Sequence, residues 1–360
     1  MELALSEEQV ELASTLRALL AKRADSAAVR AAADSDEGFD RALWELLCEQ
    51  VGVAALAVPE EHDGAGFSAF ETCVVLEELG RSLAPSPLLA TLVVSETLLA
   101  GGSADACARL LPRVAAGEVA TLAWAGLTGP GRTEPVRADG SRLSGTVGPV
   151  LVGDVAEVLL VAARTTDGPD SVGLFEIVPD APGLSRSRTP AMDTTLRLAT
   201  LELDGVEATP VVADARAALA RAHLVGTAAV AALQVGGAQR GLDMTVAYAK
   251  ERVQFGRPIG SFQALKHRMA DMLVLVETAR SIAWAAAYAV SAGSDDAARL
   301  AASAGSWCSD ALEQVAAETV QMHGGIAITW EHDAQLVFKR AHALGQLFGQ
   351  AHEHRRTLLA

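Results

Sequence analysis

The chain has 360 residues, enough for two or three domains, and half of them are apolar, so at least one large core can form. Its 45 acidic residues outnumber its 29 basic residues, and this net charge of −16 argues against a nucleic-acid-binding protein. Small anionic ligands stay open, since a few local arginines can hold them. The cysteines (Cys48, Cys73, Cys107 and Cys308) are far apart, which indicates neither a metal site nor a disulfide framework.

The start of the chain indicates a cytoplasmic location. The first residues, MELALSEEQVELA, are acidic where an export signal would be basic. The stretch His223–Gln239 is uncharged over 17 residues but contains three glycines and two glutamines, so it falls short of a convincing membrane span. We therefore expect no membrane partner.

Residues 1–120 have the pattern of a helical domain. Ser6 is a predicted N-cap before leucines and valines at helical spacing, and Gly52 is a predicted C-cap of a second helix. Ser68 and Glu71 have the spacing of a capping box for a third helix. After two prolines, another apolar run continues to Leu99.

Residues 121–212 differ from this pattern, because Gly, Pro and Thr increase and short apolar runs alternate with turn residues. These features predict a middle β domain, a small antiparallel sandwich or barrel. Three strands are expected, at residues 157–163, 172–177 and 197–203.

Residues 213–360 are Ala-rich and again helical. Glycine- and proline-containing turns divide them into four predicted helices, at residues 215–250, 262–292, 295–322 and 332–358. The sequence thus predicts a mainly α fold with a β domain in the middle, organised as one continuous architecture.

Three segments resemble signatures of the acyl-CoA dehydrogenase family. They are LAVPEEHDGAGFSAFETCVVLEELGR at 56–81, ERVQFGRPIGSFQALKHRMADM at 251–272 and VQMHGGIAITWEHDAQLVFKRA at 320–341. The resemblance implies an N-terminal helical domain, a middle β domain, a C-terminal four-helix bundle, bound FAD and assembly into dimers or tetramers. It also implies that a glutamate removes the α proton of an acyl-CoA thioester while the β hydrogen leaves as hydride to the flavin.

The same resemblance assigns cofactor-binding residues. Arg252, Phe255 and Gln263 match positions that hold the pyrophosphate and adenine of FAD, and a guanidinium and an aromatic ring suit those groups. Gln321, Gly324 and Gly325 match a second FAD-contacting motif. The structural alternatives are a helix-end arginine with a core phenylalanine, and a simple helix C-cap. In this family both motifs reach FAD mainly from the neighbouring subunit.

The flavin-ring elements of the family are altered in this chain. A Thr-Glu-Pro sequence stands at Thr133–Pro135, later than the family places it and without the Gly-x-Gly-Ser that follows. The slot of the family's Trp-Ile-Thr strand falls at Pro149–Leu151. We therefore expect the β domain to hold a flavin ring poorly.

The catalytic glutamate is missing at both positions where the family carries it. The position in the C-terminal Tyr-Glu-Gly-Thr motif aligns with Ala341, and the position on the helix before Arg252 aligns with Gly226. Small residues around Gly226 either make room for a bulky acyl group or let helices pack closely.

Other polar groups do not supply an obvious base. We expect Glu251 to be a surface charge and Glu331 and Asp333 to be structural or capping residues. His323 is either a ligand contact or a buried interface histidine. We expect His352, His354, Arg355 and Arg356 to lie on a solvated helix end, where cations suit the helix dipole.

Three hypotheses follow. The first is one subunit of a heteromeric α2β2 acyl-CoA dehydrogenase, similar to those that act on steroid side-chain thioesters, which lacks its own base and completes the FAD site of a second, related subunit. The second is a self-sufficient homo-oligomeric flavoenzyme with an unrecognised base. The third is a non-catalytic scaffold. For an enzyme, the resemblance implies electron-transfer flavoprotein as the electron acceptor; no residue indicates the acyl group.

Overall fold

A computed structural model describes residues 4–166, 168 and 171–359. Helices form both ends of the chain and a sheet forms the middle. The predicted fold, helical, then β, then a helical bundle, is confirmed. The strands of the middle sheet run from Ala120 to Val212. The exact division at residues 120 and 212 into three domains stays a prediction.

The N-terminal helices begin and end where their capping residues predict. Ser6 forms a capping box with Gln9, and Ser68 forms one with Glu71. Gly52 ends its helix in the left-handed conformation, which glycine adopts at little energetic cost. The helices are α1 (Glu7–Arg23), α2 (Ser26–Asp34), α3 (Arg41–Val51), α4 (Ala69–Ser82), α5 (Leu88–Gly101) and α6 (Ala104–Ala115).

The middle region is one eight-stranded sheet with the strand order β6-β7-β3-β2-β4-β5-β8 and with β1 paired to β4. Most pairs are antiparallel, but β1 and β2 both run parallel to β4, so the sheet is mixed and the expectation of a purely antiparallel unit is wrong. The strands are β1 (Ala120–Ala123), β2 (Arg137–Asp139), β3 (Arg142–Leu151), β4 (Val158–Arg164), β5 (Val172–Ile177), β6 (Leu184–Arg188), β7 (Leu198–Glu207) and β8 (Thr209–Val212).

The C-terminal bundle is built around one very long helix. Its elements are α7 (Arg216–Glu251), the two-residue strands β9 (Val253–Gln254) and β10 (Arg257–Pro258), α8 (Gln263–Ser291), α9 (Ala297–His323), α10 (Ala334–Leu344) and α11 (Ala351–Leu359). The predicted fourth helix at 332–358 is therefore wrong as a single element. A turn containing Gly345 and Gly349 divides it into α10 and α11, and that turn contacts Leu127, in a short 3-10 helix that follows β1.

Helices α7 and α8 are long and apolar enough to cross a membrane, judged by length and composition alone. In α7, however, 78% of the apolar window is buried inside the protein, against 44% in α8. Helix α7 packs against α4, α5, α8 and α9. Burial in the bundle thus accounts for the apolar character of α7 on nearly every side.

A candidate FAD surface and an altered active-site junction

The residues predicted to bind FAD on the first motif lie on a small hairpin at the end of α7. Arg252 follows the last helical residue, and β9 pairs with β10 so that Phe255 and Gly256 form the turn. Both turn residues have positive φ, 52° and 74°, as a tight two-residue hairpin requires. The ring of Phe255 is 92% exposed, so it is a presented aromatic surface and not a core residue.

The second motif forms another exposed turn. Gln321, Gly324 and Gly325 are all exposed where α9 ends. Gly324 has a φ of 66°, and a Cβ added at Gly324 or Gly325 would meet no atom within 4 Å. A ligand can therefore approach the backbone at this turn closely.

The two motifs belong to the same end of the bundle. Tyr248, one turn before Arg252, stacks on His323 with ring centroids 4.5 Å apart. His323 immediately precedes Gly324, is buried, and has its Nδ1 2.7 Å from the carbonyl oxygen of Thr319. The histidine thus fits the structural alternative, because it fixes the α9 end against α7.

Apolar side chains extend this exposed end. Ile328 and Trp330 are 76% and 73% exposed, and Trp330 carries the ammonium of Lys339 over its ring at 4.0 Å. We call the hairpin Arg252–Gln263 together with residues 321–330 the bundle-end surface. It combines a guanidinium, an exposed ring and open backbone, the groups that suit a phosphate-bearing aromatic ligand.

At the other end of α7, the two predicted base positions have a different setting. The residue that faces Gly226 is Phe348, and a Cβ at Gly226 would lie only 2.1 Å from Cε1 of that ring. Ala341 lies seven residues earlier, buried within α10. Phe348 is buried with a positive φ of 56°, and Gly349 follows with a φ of 113°.

The Phe348 turn connects the bundle to the sheet region. The backbone N–H of Phe348 donates to the carbonyl oxygen of Leu127 over 2.7 Å. Its ring lies 6.3 Å, centroid to centroid, from both Trp124 and His223. We call Gly226, Phe348 and these contacts the junction.

A cavity of about 680 Å³ adjoins the junction and is lined by Trp124 and His223 among others. Glu134 also lines it, is 6% exposed and accepts a hydrogen bond from the backbone N–H of Ala125. Burial raises the pKa of Glu134 to about 7, because removal from water disfavours the carboxylate. In the sequence, Glu134 stands out only as part of the misplaced Thr-Glu-Pro sequence, and only the fold shows that it is buried.

His352, Arg355 and Arg356 are exposed, as expected for a solvated helix end, but His354 is not: it is 4% exposed and its ring lies 6.3 Å from His223. Burial, reinforced by His223, lowers the pKa of His354 to about 4. Burial likewise lowers the pKa of His223, whose Nε2 is buried without a hydrogen-bond partner. Turning at Gly349 directs α11 back against α9, which a continuous helix could not do.

The remaining acids behave as structural residues or surface charges. Asp333 joins α2 to α7 through Arg30 and Arg240, at 3.0 and 3.1 Å. Glu251 and Glu331 are exposed. In the sheet, Val150 and Leu151 of the predicted flavin-contacting slot are buried among core residues.

Comparison with known proteins decides the family. Residues 6–118 match the N-terminal domain model of acyl-CoA dehydrogenases, and residues 218–360 match the C-terminal domain model. The chain is 43% identical to the acyl-CoA dehydrogenase IpdE2 of Mycolicibacterium smegmatis over 99% of both proteins. It is also 43% identical to IpdE2 of Mycobacterium tuberculosis, over 98% of this chain and 96% of that one.

The chain belongs to the acyl-CoA dehydrogenase family. Among solved structures, it is similar to the Tcur3481-Tcur3483 steroid ACAD G363A variant, with 35% identity, a TM-score of 0.86 and coverage of 98% of this chain and 96% of that chain. It is also similar to the ChsE4-ChsE5 complex from Mycobacterium tuberculosis, with 31% identity, a TM-score of 0.87 and coverage of 99% and 97%.

Family membership brings FAD as the cofactor, and the bundle-end surface fits it. Arg252 suits the pyrophosphate, Phe255 offers a face for a ring, and the Gly324 turn leaves backbone open for close approach. The junction fits a flavin and acyl group less well, because Phe348 and Gly226 fill each other's space.

The distance between the two sites limits what one chain can do. Gly226 and Glu251 are separated by 25 residues of continuous α7, which at about 1.5 Å each is roughly 38 Å. The bundle-end surface and the junction of one chain are therefore far apart along a long helix. Within one chain, they do not face a common site.

Proposed function

We propose that this chain is one subunit of a heteromeric acyl-CoA dehydrogenase and that it completes the FAD site of a second subunit. The carrying observation is the contrast along α7: the FAD-type motif is intact and exposed at one end, while both base positions are filled by residues without a carboxyl group at the other. The partner supplies the base, and this chain supplies Arg252, Phe255 and the Gly324 turn.

We match the glutamate position of the family's C-terminal motif with Phe348 instead of Ala341. In a Tyr-Glu-Gly-Thr motif the glutamate precedes a glycine, and in this chain Phe348 precedes Gly349. Two alternative positions for one base must approach the same α carbon, and the structure sets Phe348 against Gly226. A phenyl ring cannot accept a proton, so the α-proton transfer belongs to the partner.

The roles of this chain are then binding and orientation. The guanidinium of Arg252 would pair with phosphate oxygens of FAD, and the exposed ring of Phe255 would cover an aromatic face. FAD, when bound, accepts the hydride that leaves the β carbon. We propose a steroid side-chain CoA thioester as the substrate class, supported by similarity to a structure described as a steroid ACAD. Electron-transfer flavoprotein as acceptor and a cytoplasmic location are proposed with it.

The test measures flavin absorbance per chain, first for this protein alone and then for its complex with the related subunit. We expect little flavin on the lone chain and half as many flavins as chains in the complex. Arg252→Ala in the complex should remove most of that FAD, since a charge-assisted bidentate contact is lost. Arg299→Ala is the matched control, because Arg299 is exposed and forms a local ion pair with Asp296, just before α9.

A full complement of FAD on the lone chain would contradict the proposal. So would unchanged FAD content in the Arg252→Ala complex, because it would show that this chain's motif holds no cofactor there. Loss of FAD in the Arg299→Ala control would indicate general instability and would not count in favour of the proposal.

One observation favours a second candidate, a self-sufficient flavoenzyme with Glu134 as its base. Its carboxyl lines the cavity beside His223, and its pKa of about 7 suits proton transfer near neutral pH. This reading requires FAD on the lone chain and loss of turnover in Glu134→Gln with FAD retained. Turnover that persists in Glu134→Gln would exclude it.

A further inference from the structure

Phe348 combines three properties that are unusual together in a turn. It is an aromatic residue with positive φ, it has no exposed surface, and its N–H is held by Leu127. A left-handed conformation is unfavourable for a bulky side chain and persists only where surrounding contacts determine it. Here Trp124 and His223 pack on the ring.

The ring of Phe348 and a side chain at position 226 cannot occupy the same space. A Cβ at position 226 would lie 2.1 Å from Cε1 and 2.4 Å from Cζ of Phe348, far inside van der Waals contact. Any larger residue at 226, a glutamate included, therefore requires the ring to leave. The absence of Cβ at Gly226 and the ring of Phe348 are two halves of one packing arrangement.

The ring also supports the wall of the cavity. Trp124 and His223 line the cavity and both contact Phe348, whose ring packs behind that wall and against Gly226 on α7. If the two base positions flank the acyl α carbon, as the proposed function holds, the ring occupies the place where that carbon would lie in this chain.

We propose that Phe348 is a plug that closes this chain's own acyl site, so that a heteromeric complex has one acyl site per pair of chains. The role of the plug in the complex rests on the proposed function, but the contact between Phe348 and Gly226 lies within this chain. Removal of the ring joins the cavity to the space beside Gly226 and opens a second acyl site.

The experiment counts bound S-octyl-CoA, a thioether that cannot be dehydrogenated, by calorimetric titration of the complex with the partner subunit. We expect the Phe348→Ala complex to bind one more S-octyl-CoA per copy of this chain than the unaltered complex. Leu344→Ala is the matched control: it also truncates a fully buried side chain, that of the last residue of α10, away from the cavity lining, and should leave the count unchanged.

A count that stays the same in Phe348→Ala would overturn the plug, as would an unaltered complex that already binds two ligands per pair. FAD content is read on the same samples, and Phe348→Ala should not change it. The proposed function fails separately, through FAD content that is insensitive to Arg252→Ala, so the two failures are distinguishable.

A double-mutant cycle keeps the proposal testable if Phe348→Ala is poorly stable. Gly226→Ala should lower Tm by several degrees when Phe348 is present and much less when position 348 is alanine, because the clashing ring is gone. Equal losses in both backgrounds would show that the ring does not fill the space beside 226, and the plug would be wrong.

Discussion

The two ends of α7 use the same kinds of residue in opposite ways. At the bundle-end surface, Phe255 has positive φ and presents its ring to solvent. At the junction, Phe348 also has positive φ but is completely buried, and its ring meets Gly226. An unfavourable backbone conformation thus exposes a ring at one end and encloses one at the other.

The difference separates stability from ligand binding. Exposed side chains contribute little to folding free energy, so changes at the bundle-end surface should act on FAD. Buried side chains at the junction are held by packing and polar contacts, so changes there should act on stability or on the cavity. The following predictions test that separation, and a residue that violated it would show that the two ends are coupled.

The largest expected effect is on stability, at the ion pair that joins α10 to the sheet region. Arg340 is 2.9 Å from Asp193, with side chains 3% and 0% exposed, and it also donates to Thr195. Arg340→Ala leaves a buried carboxylate without its partner, which costs roughly 3–5 kcal/mol. Chemical denaturation of the lone chain measures it, and the exposed Arg299→Ala should change the free energy of unfolding by less than about 0.5 kcal/mol.

An Arg340→Ala chain as stable as the unaltered one would show that this buried ion pair does not stabilise the packing of α10 against the sheet region. Loss of FAD from a complex that remains folded would instead show that this contact also organises the cofactor site.

A smaller, pH-dependent effect is expected at Glu134. Its folded pKa of about 7 exceeds its unfolded value, so the folded state binds the extra proton and the carboxylate destabilises the fold increasingly as pH rises from about 4.5 to 7. Glu134→Gln keeps an acceptor for Ala125 and cannot ionise. Its stability relative to the unaltered chain should therefore rise by about 2 kcal/mol between pH 5 and pH 8.

Denaturation of both chains at pH 5 and pH 8 checks this, and the difference between chains removes the contribution of other titrating groups. Glu11→Gln is the control, since Glu11 is exposed and should show no such rise. A pH-independent difference for Glu134→Gln would place the carboxyl in contact with water.

The smallest expected effect is at Phe255. Loss of one aromatic contact is worth about 0.5–1.5 kcal/mol, so Phe255→Ala should weaken FAD binding by the complex roughly two- to tenfold. Its ring is 92% exposed, so Tm of the lone chain should not change. Phe67→Ala, at an aromatic residue 58% exposed elsewhere, should leave the FAD affinity unaltered. A drop in Tm without a change in FAD affinity would reverse the assignment.

Local patterns in the sequence determined much of this protein. The capping boxes at Ser6 and Ser68 and the C-cap at Gly52 set helix ends, because the hydrogen bonds they form involve residues only a few positions away. The two FAD-type motifs could also be found in the sequence, because a hairpin and a helix-end turn are specified by adjacent residues. The assignment of those residues to FAD stays a prediction.

Only the tertiary structure decided the junction. The sequence near residue 348 does not predict that the ring of Phe348 contacts Gly226. The two residues are more than a hundred positions apart and meet only because separate elements pack together. The solvated position expected for His354 assumed a continuous last helix, whereas the turn at Gly349 places Phe348 and His354 in the interior. Helix caps and tight turns depend on hydrogen bonds between close neighbours in the sequence, but the volume that a side chain must share is set by every element that packs around it.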